Sequence, residues 1–304
     1  MMRKTVITGS EGLVGKCLVN YLTQLKYDII GVDRGGDVEI NDLYKWIDEN
    51  RNDIDFVIHL GANTNVFETS DRIFEEYNTN YSKSLWYKCM RFKIPIIYAS
   101  SSATYGDGKL GYDDNIDPKR LTPLNKYGIS KNEFDKFVTS HNHLNDAPFW
   151  AGLKFFNIYG YNESHKRKMA SFIYQVYKAF KKQQPFELYD VDRARDFIYV
   201  EDVVSIIHWM MTNRPTSSIY NIGTGKATKF SGMVEYVANA LGIEPSIKHI
   251  PMPEKMKVNH QFFTEANITK LRGAGYNNHI MSPDEGIKKY VKILEQHENK
   301  NINR

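Results

Sequence analysis

Lys4-Thr-Val-Ile-Thr8-Gly9-Ser-Glu-Gly12-Leu-Val-Gly15 is the stretch that decides the fold. Its first five residues form a short β-rich run, and the chain after Gly15 reads as a helix to about Leu25. Between strand and helix the three glycines have separate duties. Gly9 permits a tight turn, Gly12 lets the backbone approach a pyrophosphate, and Gly15 lets helix and strand pack closely. The helix start, with Leu13 and Val14, offers unpaired amides and the positive end of the helix dipole to phosphates. The spacing is G-x-x-G-x-x-G, not the G-x-G-x-x-G of ordinary dehydrogenases. A dinucleotide is the expected ligand, and a glycine turn that holds no ligand is the plain alternative.

Outward from this turn, Asp28–Asp33, Asp55–Leu60 and Ile94–Ala99 are further apolar runs, each next to a helical pattern. Near-continuous Val/Ile runs alternating with helices imply a parallel sheet covered on both faces. Right-handed crossovers then give an α/β, doubly wound Rossmann sheet, with ligands at the carboxyl ends of its strands. The strands ending at Leu60 and Ala99 are counted as fourth and fifth. Beyond residue 160 the periodicity turns to amphipathic helices at 168–182, 201–213, 231–241, 264–273 and 283–297, joined by short strands. The expected division is a dinucleotide-binding domain at 1–160, to which 197–222 returns, and a smaller, mostly helical substrate domain from 161–196 and 223–304. The polar tail after Gln296 is expected to fray.

The strand ends carry the candidate ligands. Asp33 suits the adenosine ribose hydroxyls of NAD, whereas Arg34 beside it suits the 2′-phosphate of NADP. Asp37, followed by Val38, is placed to accept from the adenine amino group, and a polar turn accounts for all three equally well. Leu60-Gly61-Ala62-Asn63 supplies small residues where backbone passes close to a cofactor. Asn78 begins a helix after Glu75-Glu76-Tyr77 and either caps it or hydrogen-bonds into the site. Ala99-Ser-Ser-Ser-Ala-Thr-Tyr-Gly106 sets a run of hydroxyls at a strand end, where capping and catalysis are both served.

Tyr127-Gly-Ile-Ser-Lys131 lies in a stretch, Asn125 to about His141, whose Phe134, Phe137 and Val138 recur at helical spacing. Tyr127 and Lys131 leave one face a turn apart. A phenol with a pKa near ~10 is a poor base at neutral pH, and a neighbouring ammonium favours its phenolate. A tyrosine tuned in this way takes the proton from an alcohol while a hydride leaves its carbon.

The glycine spacing, the serine-rich strand end and Tyr127-x-x-x-Lys131 resemble the extended short-chain dehydrogenase/reductase family. Arg195-Asp-Phe-Ile-Tyr-Val-Glu-Asp202 and Tyr220-Asn-Ile-Gly223 extend the match nearly end to end. The resemblance implies a triad in which Ser101 orients the substrate hydroxyl and Tyr127 is the acid/base. Lys131 lowers the tyrosine's pKa and holds the nicotinamide ribose. In Phe155-Phe-Asn-Ile-Tyr-Gly160 it sets Asn157 against substrate and the Ile158 backbone against nicotinamide.

Within that family, Glu163–Ser171, Ile250–Lys257 and Gln261–Tyr276 are similar to the epimerases that act on nucleotide-linked heptoses. That branch implies NAD(P), with NADP favoured, a nucleotide-diphosphate sugar as substrate, and a homo-oligomer, pentameric in the resembled enzymes. Lys166 matches a second base opposite the tyrosine, so that inversion needs no rotation of the reacting oxygen. Arg195 matches a diphosphate grip, a fork of donors being suited to phosphate. An ion pair with Asp192 or Asp196 is its plain alternative. Tyr189 joins the substrate side, as do three positions that depart from the branch: Lys168 replaces a serine, Gln175 a histidine and His260 a tyrosine. The loop Asp190–Arg195 is also about two residues shorter.

Composition bounds the rest. A formal charge of +4 over 304 residues, with both signs interspersed, implies no general nucleic-acid surface despite Lys166-Arg-Lys168. Cys17 and Cys89 lie far apart on predicted helices, as reduced cytoplasmic thiols do. No apolar run approaches the ~18 residues of a membrane span, and no membrane partner is expected. His141-Asn-His143 finds no third ligand, so no metal is expected. The leading alternatives are an epimerase or reductase of another nucleotide sugar and a non-catalytic dinucleotide-binding protein. A dehydratase is disfavoured, because Ser102-Ala103-Thr104 stands where such enzymes place an Asp-Glu pair.

Overall fold

The computed structural model describes residues 3–65, 68, 70–141, 146–163, 170–191, 193–254 and 261–302. Strands β1 (Lys4–Thr8), β2 (Asp28–Val32), β3 (Ile54–His59), β4 (Ile96–Ser101), β5 (Trp150–Phe155) and β9 (Ser218–Ile222) form one six-stranded sheet. Its order is β2-β1-β3-β4-β5-β9, and every pairing is parallel. Strand alternation sorts the apolar side chains into two layers. Ile7, Phe56, Ile58, Ile97 and Leu153 enter one core, and Val6, Val57, Ile96, Tyr98 and Trp150 enter the other. That double burial is why these strands read as unbroken apolar runs.

Helices α1 (Leu13–Gln24), α2 (Leu43–Asn50), α3 (Asp71–Phe74), α4 (Tyr81–Arg91) and α5 (Lys126–Ser140) connect the first strands. A π-helical turn at Glu75–Asn80 joins α3 to α4. The strand count differs from expectation by one. After β2 only an isolated parallel bridge, Val32 to Val38, extends the edge, so the strand ending near Leu60 is third and the one ending near Ser101 is fourth.

The remaining strands are short. β6 (Asn157–Tyr159), β8 (Ala194–Tyr199) and β10 (Ala227–Lys229) form a three-stranded sheet, and β7 (Phe186–Tyr189) pairs in parallel with β11 (Ile247–Ile250). Helices α6 (Phe172–Lys181), α7 (Val200–Asn213), α8 (Phe230–Leu241), α9 (Thr269–Gly273) and α10 (Pro283–Ile302) surround them. Two helices depart from the sequence expectation. The stretch 264–268 is not helical, because its amides are taken: Thr264 donates to the Ala194 carbonyl at 3.1 Å and Ala266 to Asp196 at 3.1 Å. The last helix, expected over 283–297, runs on to Ile302. Among the described residues no helix is long and apolar enough to cross a membrane.

Candidate active site

The glycine turn is built as a phosphate cradle. Gly9 has φ +71°, and a Cβ there would stand 2.7 Å from the Gly61 amide nitrogen. A Cβ on Gly15 would collide with the Gly9 carbonyl. α1 starts from Gly12 with no side-chain cap, so no capping side chain takes the first amides at Leu13, Val14 and Gly15. A dinucleotide pyrophosphate fits this helix end.

The adenosine side is partly spoken for. Asp33 accepts from the Glu11 amide at 3.0 Å and from the Arg34 amide at 2.8 Å, bracing the glycine turn. Asp37 accepts from the Gly31 amide at 2.7 Å, and Val38 is buried in the core. Arg34 is exposed.

Leu60, Gly61 and Ala62 are half-buried at the end of β3, and His59 just before them is the hub of a hydrogen-bond chain. The Gly61 amide donates to Thr8 Oγ1 at 3.1 Å, and Thr8 Oγ1 lies 2.7 Å from His59 Nδ1. His59 Nε2 lies 2.8 Å from Ser82 Oγ, which donates to the Asn78 carbonyl. Since the Ser82 proton is used there, His59 must donate from Nε2 and accept at Nδ1. Burial first, and the Lys131 charge second, push the imidazole down to about 3, so it is neutral.

Asn78 is not a helix cap. It sits buried in the π-helical turn, accepts from the Asn63 amide at 2.8 Å, and donates to the Asn63 carbonyl and to Ser130 Oγ, each at 3.0 Å. Ser130 in turn donates to the Tyr127 carbonyl at 2.8 Å. The loop after β3 and the helix bearing Tyr127 are thus tied through one amide.

Three of the four expected catalytic residues come together where β4 meets α5. Asn125 caps α5 by accepting from the Gly128 amide at 2.8 Å, fixing the register of Tyr127 and Lys131. Ser101 ends β4, accepts from the Ala103 amide at 3.1 Å, and stands beside the Tyr127 phenol, close enough to act on its pKa. Lys131 is buried and donates to the Ala99 carbonyl at 2.9 Å. Burial pulls its pKa down to about 8, against the raising effect of Asp135. Tyr127 runs against the sequence expectation in sign: burial raises its pKa, and the lowering influence comes from Ser101.

On the substrate side, Asn157 is exposed at the start of β6 and Ile158 is half-buried. Arg195 on β8 is only 7% exposed. Asp196 is not its partner: that carboxylate accepts from the amides of Thr224, Gly225 and Ala266 and from the Thr224 hydroxyl. Asp192 lies outside the described residues, and among the described ones no carboxylate pairs with Arg195. Among the described residues its guanidinium meets only the Gln261 amide oxygen, at 3.2 Å. Burial lowers its pKa to about 10, the nearby Tyr112 opposing. A buried cation without a counter-charge is costly, and an anion relieves that cost.

Tyr189 is half-buried with its ring 5.1 Å from the Arg193 guanidinium. It lines a cavity of about 300 Å³ together with Leu188, Asp190, Arg193, Phe230 and His249. Gln175 is exposed, its amide turned onto the Ala170 carbonyl at 2.8 Å. Lys166, Lys168 and His260 lie outside the described residues, as does His143.

Sequence reasoning passed over His59, Asp135, Lys154 and Gln261. Signals existed for the first three: polar residues inside the apolar runs of β3 and β5, and a carboxylate one turn beyond Lys131. Gln261 had none of its own.

The family model described as the NAD dependent epimerase/dehydratase family matches residues 5–223. The ADP-L-glycero-D-manno-heptose-6-epimerase of Fusobacterium nucleatum is 39% identical, across 94% of this chain and 96% of that protein. The enzyme of the same name from Nitratidesulfovibrio vulgaris (strain DP4) is 34% identical over the same shares. Among solved structures, the Helicobacter pylori ADP-L-glycero-D-manno-heptose-6-epimerase superposes with a TM-score of 0.80 at 24% identity, covering 96% of each chain.

Proposed function

The chain belongs to the NAD-dependent epimerase/dehydratase family and is a nucleotide-sugar epimerase, and from that premise we propose that it converts ADP-D-glycero-D-manno-heptose to ADP-L-glycero-D-manno-heptose. The assignment is carried by the meeting of Ser101, Tyr127 and Lys131 in a chain 39% identical to an enzyme of that name.

Gly9, Gly12 and the start of α1 would hold the pyrophosphate of a dinucleotide, Asp33 and Arg34 its adenosine ribose, and Gly61, Ala62 and Ile158 would line the path to the sugar. A dinucleotide held there would supply the hydride chemistry, accepting from the exocyclic carbon and returning to its opposite face. Ser101 donates to the reacting oxygen and orients it. Tyr127, as the phenolate, takes the hydroxyl proton on one face and becomes the neutral phenol, and Lys131, charged below about pH 8, favours the phenolate from which that transfer starts. Lys166 performs the matching proton transfer on the other face. Arg195 grips the diphosphate, and Tyr189 flanks the base. Lys168, Gln175 and His260 are assigned to recognition of the sugar, as is Asn157.

NADP is the preferred cofactor, received at its 2′-phosphate by Arg34. The division into a dinucleotide-binding part (1–160 with 197–222) and a substrate part (161–196 with 223–304), a cytoplasmic location and assembly into a homo-oligomer belong to the same proposal. The purified chain incubated with ADP-D-glycero-D-manno-heptose, followed by proton NMR, tests it. Appearance of the epimer is expected. No turnover, with turnover of a different nucleotide sugar, moves the assignment to that sugar, which is where the departures at Lys168, Gln175 and His260 would lead.

A further inference from the structure

Gln261 stands between two parts of the site that are remote in sequence. Its Oε1 accepts from the Arg195 guanidinium at 3.2 Å. Its Nε2 donates to the Ser102 carbonyl at 3.2 Å and to the Gly106 carbonyl at 2.7 Å. A guanidinium only donates and a carbonyl only accepts, so the amide fits one way round, with both of its hydrogens used. The two carbonyls bracket the helical turn Ser102–Tyr105, which starts from Ser101 and whose Ala103 amide donates to the Ser101 hydroxyl at 3.1 Å. On its other side the turn rests on α5: a Cβ at Gly128 would come within 2.8 Å of the Ala103 carbonyl. The Arg195 guanidinium is charged, which makes its bond to the amide a charge-assisted one, and among the described residues no carboxylate pairs with it.

We infer that Gln261 is a positioning residue that couples anion binding at Arg195 to the turn following Ser101. A diphosphate closing on the guanidinium fixes it, the guanidinium fixes the amide, and the amide fixes both ends of the turn from which Ser101 reaches Tyr127. Coupling of this kind is reciprocal: a well-set turn also tightens the hold on the diphosphate. The inference deepens the proposed function and rests on its reading of Arg195 as the diphosphate grip.

The test uses the full chain as purified, with ADP as the probe. Calorimetric titration of the wild type with ADP examines the grip by itself. No binding there removes the grip and the coupling together. Amide hydrogen exchange at residues 102–106, with and without saturating ADP, examines the coupling. ADP is expected to slow exchange of the wild-type turn by about tenfold, a usual size for coupling between sites. In Gln261→Met, ADP should still bind, weaker by no more than the roughly tenfold of the coupling, but leave the turn's exchange unchanged, and kcat should fall by more than KM rises. Arg195→Lys reads the contact from its other end, since it keeps the charge but loses the planar fork. At saturation it too should leave the turn unprotected. ADP-dependent protection that survives in either variant, or is absent from an ADP-bound wild type, overturns the coupling and leaves the grip standing.

Discussion

Lys154 and Asp135 form an ion pair at 2.7 Å in which neither side chain is more than 1% exposed. One lies on β5, the other on α5 a turn beyond Lys131. Tyr98 and Ser100 of β4 also donate to the carboxylate, at 3.1 and 2.7 Å, and Lys154 donates to Thr104 at 2.5 Å. The pair therefore joins β4, β5 and α5 behind the Ser101–Tyr127 contact.

Burying such a pair contributes little net stability, but stranding one member is expensive. Lys154→Met alone is expected to lower the urea-measured unfolding free energy by ~3–5 kcal/mol. Lys154→Met with Asp135→Leu should recover part of that loss. A single substitution costing under ~1 kcal/mol contradicts the role given to the pair.

His59 gives the fold a pH dependence. Its folded pKa, about 3, is depressed below the ordinary 6.5, so the unfolded chain takes up a proton that the folded chain refuses. Stability from this group is fully present above about 6.5 and is lost progressively as pH falls toward about 3. His59→Gln should flatten the fall of the urea midpoint between pH 7 and pH 5. Equal slopes in variant and wild type would show that the imidazole is not held neutral.

The sheet, and the nearness of Ser101, Tyr127 and Lys131, were legible in the sequence, and their supports were not. Val6 and Ile7 face opposite cores, so β1 announced itself as an apolar run whatever its neighbours were. Ser101, Tyr127 and Lys131 are fixed by local spacing on one strand end and one helix. By contrast, the meaning of Asp135 depends on Lys154, 19 residues away, and that of His59 on Thr8, 51 residues away. Pattern reading assigned 264–268 to a helix because periodicity cannot reveal that β8 and Asp196 claim its amides. Asn78 was misplaced for a similar reason, a π-helical turn having no signature in composition.

The proposed preference for NADP rests on Arg34. Denatured protein should release NADP, and Arg34→Ala should weaken NADP binding by roughly tenfold or more, with a smaller effect on NAD, the loss being that of a charge-assisted phosphate contact. Finding NAD alone, with no loss from Arg34→Ala, reverses the preference.

Two bases predict two separable losses. Tyr127→Phe and Lys166→Met should each slow epimerisation by ~10²-fold or more, the worth of a positioned acid/base, without unfolding the chain or releasing the dinucleotide. Lys131→Met should lose activity and cofactor affinity together. Near-wild-type epimerisation by Lys166→Met would leave a single-tyrosine mechanism in which the oxidised sugar turns over between transfers.

The central claim is that the carbon-bound hydrogen leaves and returns within the site, so that inversion is oxidation followed by reduction. Epimerisation of ADP-D-glycero-D-manno-heptose in D₂O, with deuterium at the inverted carbon read by NMR and mass spectrometry, tests this most directly. The product should carry no solvent deuterium at that carbon, because the hydrogen never exchanges with water. Stoichiometric deuterium there would mean that inversion proceeds by deprotonation at carbon, and would contradict the account at its root.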